Sequence, residues 1–151
     1  MKKYIFKIVI AVFPFFTVYS QSDTVCNPSF EDSLNSWGLI NNGSSVSTLS
    51  ISSDSLYSGN LGLIYDVSYV NPPSSSCALT SCMLSLQQGN YYKISFWAKS
   101  DSSESLLVVL QPTSAPFTNY ASKTFVTSTN WQQYILYLSL IHIWRCRRTI
   151  Q

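Results

Sequence analysis

Residues 91–99, Tyr-Tyr-Lys-Ile-Ser-Phe-Trp-Ala-Lys, alternate between two kinds of side chain, and this period of two constrains the fold more tightly than any other feature of the chain. In an extended strand successive side chains point to opposite faces. Tyr92, Ile94, Phe96 and Ala98 therefore form one apolar face, and Tyr91, Lys93, Ser95, Trp97 and Lys99 the other. The first face belongs to a core, where each fully buried large apolar side chain contributes about 1.5–3 kcal/mol. The second sets Trp97 between lysines, and a large ring on such a face needs a cover or a ligand.

Short stretches of the same kind recur at 46–51, 61–67, 82–86, 105–111, 123–126 and 132–137, and no stretch of useful length carries a helical period. Asn42-Gly43, Ser58-Gly59-Asn60, Asn71-Pro72-Pro73, Gln88-Gly89-Asn90 and Ser100-Asp101-Ser102 separate them, residues that supply positive φ or a local side-chain cap. The pattern predicts an all-β fold, an antiparallel β-sandwich. At 46% the hydrophobic content is enough for a core. The 11% of charged residues is under half the share usual in globular domains and argues against a cytosolic helical protein.

The formal net charge of +2 comes from the two ends. Lys2, Lys3 and Lys7 stand at the start and Arg145, Arg147 and Arg148 at the end, whereas between Gln21 and Tyr137 three lysines face seven acidic residues, a net of −4. Residues 1–20 have a cationic start, an apolar run over 8–18, and Val18 and Ser20 at the −3 and −1 positions before Gln21, the pattern of a secretory signal peptide. Lys7 bounds the run and Pro14 interrupts it, so it falls short of the roughly 20 apolar residues of a stable membrane span. The residues before Cys26 lack the Leu and small residues of a lipoprotein signal. Export to an oxidising compartment, secreted or at the cell surface, is expected.

Residues 138–151 have no acid, three Arg and the only His, His142. The run 138–148 resembles the translation of a transposase-derived sequencing adapter, with TGA read as Trp at Trp144. This tail is expected to be artefactual, leaving one domain over 21–137. The alternative is a basic tail that binds nucleic acid or lipid.

Asn27-Pro28-Ser29-Phe30-Glu31, Trp37, Ser58-Gly59 with Leu61-Gly62-Leu63, Leu86 and Gly89 leading into the 91–99 strand, and Trp131-Gln132-Gln133-Tyr134 together resemble the carbohydrate-binding modules of families 4, 9 and 22 over about 25–137. The resemblance implies a galactose-binding-like jelly roll. The family pattern continues with an Asp-bearing final strand where this chain has its adapter-like tail, which implies a sandwich with its last strand missing and an exposed sheet edge. It further implies a structural Ca2+ held by Glu31 and by backbone oxygens around Ser58 and Gly59. Calcium takes six to eight oxygens, so that site is expected to be incomplete here. The alternative for Glu31 is a solvated acid.

Such modules stack aromatic rings on sugar faces and read hydroxyls with polar tips. Trp97, Tyr91 and Lys99 from the outward face, with Tyr120 from the loop before the next strand, are the expected site for a polysaccharide or glycan. The alternative is that Trp97 packs under a loop or a neighbouring domain. Trp37 and Trp131, at the starts of strands, are expected to pack. In an oxidising compartment Cys77 and Cys82 are expected to form a disulfide, closing a loop of about six residues worth about 2 kcal/mol. Cys26 is then left over once Cys146 is set aside.

Catalysis is not expected. With His142 the only histidine, no Ser-His-Asp or Cys-His set can be assembled from the domain. Glu31, Asp66 and Glu104 fall in no motif that pairs two carboxylates. No Gly-rich phosphate loop occurs, and the acidic middle argues against nucleic acid. The expectation is a secreted, non-catalytic carbohydrate-binding sandwich, the N-terminal piece of a larger bacterial extracellular protein whose downstream domains are its partners. The alternatives are a structural or adhesive surface domain and the accessory module of a glycoside hydrolase.

Overall fold

The computed structural model describes residues 2–11, 25–54, 56–70, 77–115 and 118–140, the first of these as backbone alone. They form β1 (Lys2–Ala11), β2 (Gly38–Asn41), β3 (Val46–Ser52), β4 (Gly62–Tyr69), β5 (Cys77–Thr80), β6 (Tyr91–Ser100), β7 (Ser105–Leu110), β8 (Ala121–Val126) and β9 (Gln132–Ser139). Every pairing is antiparallel. One sheet has five strands in the order β3-β4-β1-β6-β9, and β2-β5 and β7-β8 form two ribbons.

The period of two decides which side chains meet. Tyr92, Ile94, Phe96 and Ala98 of β6 are buried, as are Leu63, Tyr65 and Val67 of β4 and Tyr134, Leu136 and Leu138 of β9. Phe30, Leu63, Tyr65, Val67, Phe96, Ala98 and Tyr134 form the main core, and Leu39, Leu79, Leu106, Val108 and Phe125 pack on it from the two ribbons. The ribbons are thus the second layer of an all-β sandwich, as the alternation predicts. Phe96 and Tyr134 stack with centroids 5.4 Å apart, and Phe125 meets both edge-on. A smaller cluster of Tyr92, Leu138 and Leu140, with Leu86, Leu110 and Ala121, fills one end.

Three features depart from the sequence expectation. Residues 82–86 keep their alternation, with Cys82, Leu84 and Leu86 half-buried and Met83 and Ser85 exposed, yet they form no strand. The neighbouring β5 pairs with β2 instead, Cys77 opposite Asn41 and Thr80 opposite Gly38. Next, β9 runs past 137, and Leu138 and Leu140 are buried because they continue the apolar parity of Tyr134 and Leu136. The sheet therefore takes in the start of the 138–151 tail, the rest of which lies outside the described residues. Finally, Lys2–Ala11, inside the predicted leader, forms the middle strand of the larger sheet. The predicted cleavage point after Ser20 lies outside the described residues.

The disulfide also differs. Cys26 and Cys82, with Cα atoms 6.0 Å apart, are bonded to each other, and Cys77 is free. The expected Cys77–Cys82 bridge does not form, because Cys82 is bonded to Cys26 and the β2-β5 pairing holds Cys77 opposite Asn41. Cys77 Sγ instead lies 3.4 Å from Asn41 Oδ1 and 3.6 Å from Tyr69 O.

Candidate functional site

The site begins in the 26–37 turn. Asn27, Phe30, Ser33 and Ser36 all have positive φ, 48°, 64°, 53° and 70°, a conformation that costs a non-glycine residue roughly 1–2 kcal/mol. The Asn27 side chain holds it in place. Its Nδ2 donates to Ser33 O at 2.9 Å and Asn35 O at 3.1 Å, and its Oδ1 accepts from Asp32 N at 3.1 Å. Trp37 Nε1 donates to Asn27 O at 3.0 Å, and the Trp37 ring meets the fully buried Phe30 at 5.1 Å. The N-x-x-F-E motif is therefore a folding device: Asn27 organises the turn, Phe30 anchors it in the core, and Glu31 is left facing outward.

Glu31 then seats a second loop. Its Oε1 accepts from Asn60 N at 2.8 Å and Leu61 N at 3.3 Å, and its Oε2 from Asn60 Nδ2 at 3.3 Å. Gly59, at φ +83°, lets the carboxylate approach, since a Cβ there would collide with Glu31 Oε1. The loop so fixed carries Tyr57. Its ring lies parallel to Trp97, centroids 4.0 Å apart and planes 15° from each other, and tilted against Trp131 at 5.8 Å. Lys99 Nζ sits 5.5 Å from the Trp131 ring centroid, within cation–π range.

The register explains the grouping. Trp97 pairs with Gln133 and Ala98 with Gln132, so Trp131 comes beside Lys99 at the start of β9. Three rings and a cation therefore meet on the outward face of the five-stranded sheet. Tyr57 is 41% exposed while Trp97 and Trp131 are half-buried, so Tyr57 is the more exposed ring of the stack, backed by Trp97.

A cluster of this composition is what a sugar-binding surface needs, and the chain matches the family model described as Carbohydrate binding domain, of the 4/9 type, over residues 22–136. The chain belongs to that family. No curated protein and no solved structure matches it. The carbohydrate-binding domain so defined includes the 26–37 turn, the Tyr57 loop and both tryptophans, and leaves β1 outside.

Of the residues expected to bind sugar, the carbohydrate-binding domain brings together Trp97 and Lys99 only. Tyr91 is 50% exposed on the same face of β6, but six residues of strand separate it from Trp97 by about 20 Å. Tyr120 lies at the end of the β7-β8 ribbon, its N–H donating to Leu110 O at 2.7 Å, and so belongs to the other layer. Tyr57 was not expected, because it lies in a loop where no period marks a face. Trp131 was assigned to packing, and only its register beside Lys99 brings it into the cluster. Trp37 packs as expected.

The calcium implied by the resemblance requires oxygens around Glu31. What faces Glu31 Oε1 is a pair of backbone N–H donors, which suit an anion and repel a cation. No group of three or more His, Cys, Asp or Glu able to hold a metal occurs among the described residues. As arranged, Glu31 staples the Tyr57 loop through its donors on Asn60 and Leu61.

Proposed function

We propose that the protein is an exported, non-catalytic carbohydrate-binding module that holds a polysaccharide on the outward face of its five-stranded sheet. Tyr57, backed by Trp97, supplies the platform for a pyranose ring. Trp131 flanks it, and Lys99 offers a donor to a sugar hydroxyl. The stacking of Tyr57 on Trp97 carries this reading: a rigid aromatic pair, one ring partly exposed, gives a flat apolar surface at small entropic cost. The signal-like pattern of residues 1–20 and the Cys26–Cys82 bridge support an oxidising, extracellular setting. A role as one module of a larger extracellular protein accords with the same features.

Screening the purified protein on a glycan array of plant, fungal and bacterial polysaccharides tests the proposal. Retention of at least one polysaccharide class, lost on Tyr57→Ala, is expected. An array blank at high protein concentration, with the protein shown to be folded, contradicts it and favours a structural or adhesive surface domain.

A further inference from the structure

The five-stranded sheet is continuous only through β1. No pairing joins β4 to β6: Phe6 stands opposite Leu63 on one side and Ala98 on the other, and Ile5 opposite Ile64 and Lys99. The Cys26–Cys82 bond and the Asn27 turn are made by residues outside β1, and the family match starts only at residue 22. A 13-residue connection, 12–24, joins β1 to Val25, far longer than the two to five residues of a hairpin.

The sequence of β1 fits the slot in a specific way. Tyr4, Phe6, Ile8 and Ile10 share one parity, and Lys3, Ile5, Lys7 and Val9 the other. The first set is in register with core-facing residues, Tyr4 with Tyr65, Phe6 with Leu63, Ile8 with Phe96 and Ile10 with Ile94. Lys3 is in register with Asp66, whose Oδ1 is buried and has no hydrogen-bond partner among the described groups. A carboxylate so placed favours a cation at that register.

We propose that the space between β4 and β6 is a strand-acceptor groove, and that Lys2–Ala11 occupies it as a separable strand ligand. The groove selects an extended segment, antiparallel to both walls, with apolar residues at alternate positions and a cation opposite Asp66. The segment that reads as a leader is thus also the piece that closes the sheet. Its release would expose the N–H and C=O groups of two strands at once, a surface ready to take up another strand.

The test uses the full chain with a protease site placed between residues 12 and 20. After folding and cleavage, native mass spectrometry follows the cut segment, and hydrogen exchange follows the amides of 63–67 and 94–100. Two results support the groove. Either the segment stays bound, or it leaves, those amides lose protection, and added Lys2–Ala11 peptide restores it while a peptide of the same composition with the lysines of positions 3 and 7 moved to even positions does not. Departure of the segment with protection unchanged overturns the proposal, as does equal rescue by both peptides or rescue by neither.

Discussion

Tyr57 lies flat on Trp97, with ring centroids 4.0 Å apart, so a loop residue and a strand residue form one surface. Such pairs are worth about 0.5–1.5 kcal/mol beyond the area they bury. If they act as a unit, their removal is not additive. Tyr57→Ala and Trp97→Ala are each expected to weaken polysaccharide binding about tenfold or more, at about 1.4 kcal/mol per decade. The double variant should be scarcely worse than either alone. Isothermal titration of the four proteins checks this, and losses that sum would show that the rings act separately.

Glu31 supports Tyr57 at one remove, through its hydrogen bonds to Asn60 N and Leu61 N. Because the carboxylate is exposed, solvent reduces the worth of these bonds below the 1.5–3 kcal/mol usual for charged partners. Glu31→Ala should loosen the loop and weaken binding about threefold to tenfold, with Glu31→Gln, which keeps an acceptor, closer to wild type. Since N–H donors already satisfy Glu31, a chelator should leave the melting temperature unchanged. A rise of several degrees on adding Ca2+ would contradict that arrangement.

The Cys26–Cys82 bond closes a loop with a sequence separation of 56, for which the chain-entropy estimate is about 4 kcal/mol, against about 2 kcal/mol for the short loop the sequence led us to expect. Cys82→Ser should therefore lower stability by up to about 4 kcal/mol, and Cys77→Ser should change it little. Alkylation of the unreduced protein followed by peptide mapping should label Cys77. A peptide pair linking Cys77 to Cys82 would refute the assignment.

The sandwich was legible in the sequence because a buried strand face writes itself as alternation, and 91–99, 46–51 and 132–137 all carry it. Where the alternation is short, it fails to say which stretch becomes a strand: Cys77–Thr80 pairs with Gly38–Asn41 while 82–86 forms no strand. The disulfide was misassigned for the same cause, since only the β2-β5 pairing shows that Cys77 stands opposite Asn41 while Cys82 meets Cys26. Trp97 and Lys99 could be placed on one face from parity alone. Tyr57 and Trp131 could not, because a loop has no period and register across strands is a tertiary property. In Lys2–Ala11 the charge-and-apolar pattern of a leader concealed a period of two that the sheet makes evident.

Tyr134 gives the domain an alkaline limit. Burial pushes its phenol above the ordinary value of 10.0, against the opposing effect of a backbone hydrogen bond from Ser128. Above about pH 10 the unfolded chain loses the phenolic proton while the folded domain keeps it. The folded state then binds more protons, so stability falls as pH rises. Tyr134→Phe should flatten that part of the decline in urea midpoint between neutral and strongly alkaline pH. An unchanged slope would place the decline on other tyrosines.

The most direct test compares the affinity of wild type, Tyr57→Ala and Tyr91→Ala for the polysaccharide that the array selects. Both tyrosines are exposed on the same side of the sheet, but only Tyr57 lies against Trp97. The expected result is a loss of about tenfold or more for Tyr57→Ala and wild-type affinity for Tyr91→Ala. Tyr57→Ala binding as well as wild type, or better, would show that Tyr57 covers Trp97 and does not form the binding platform.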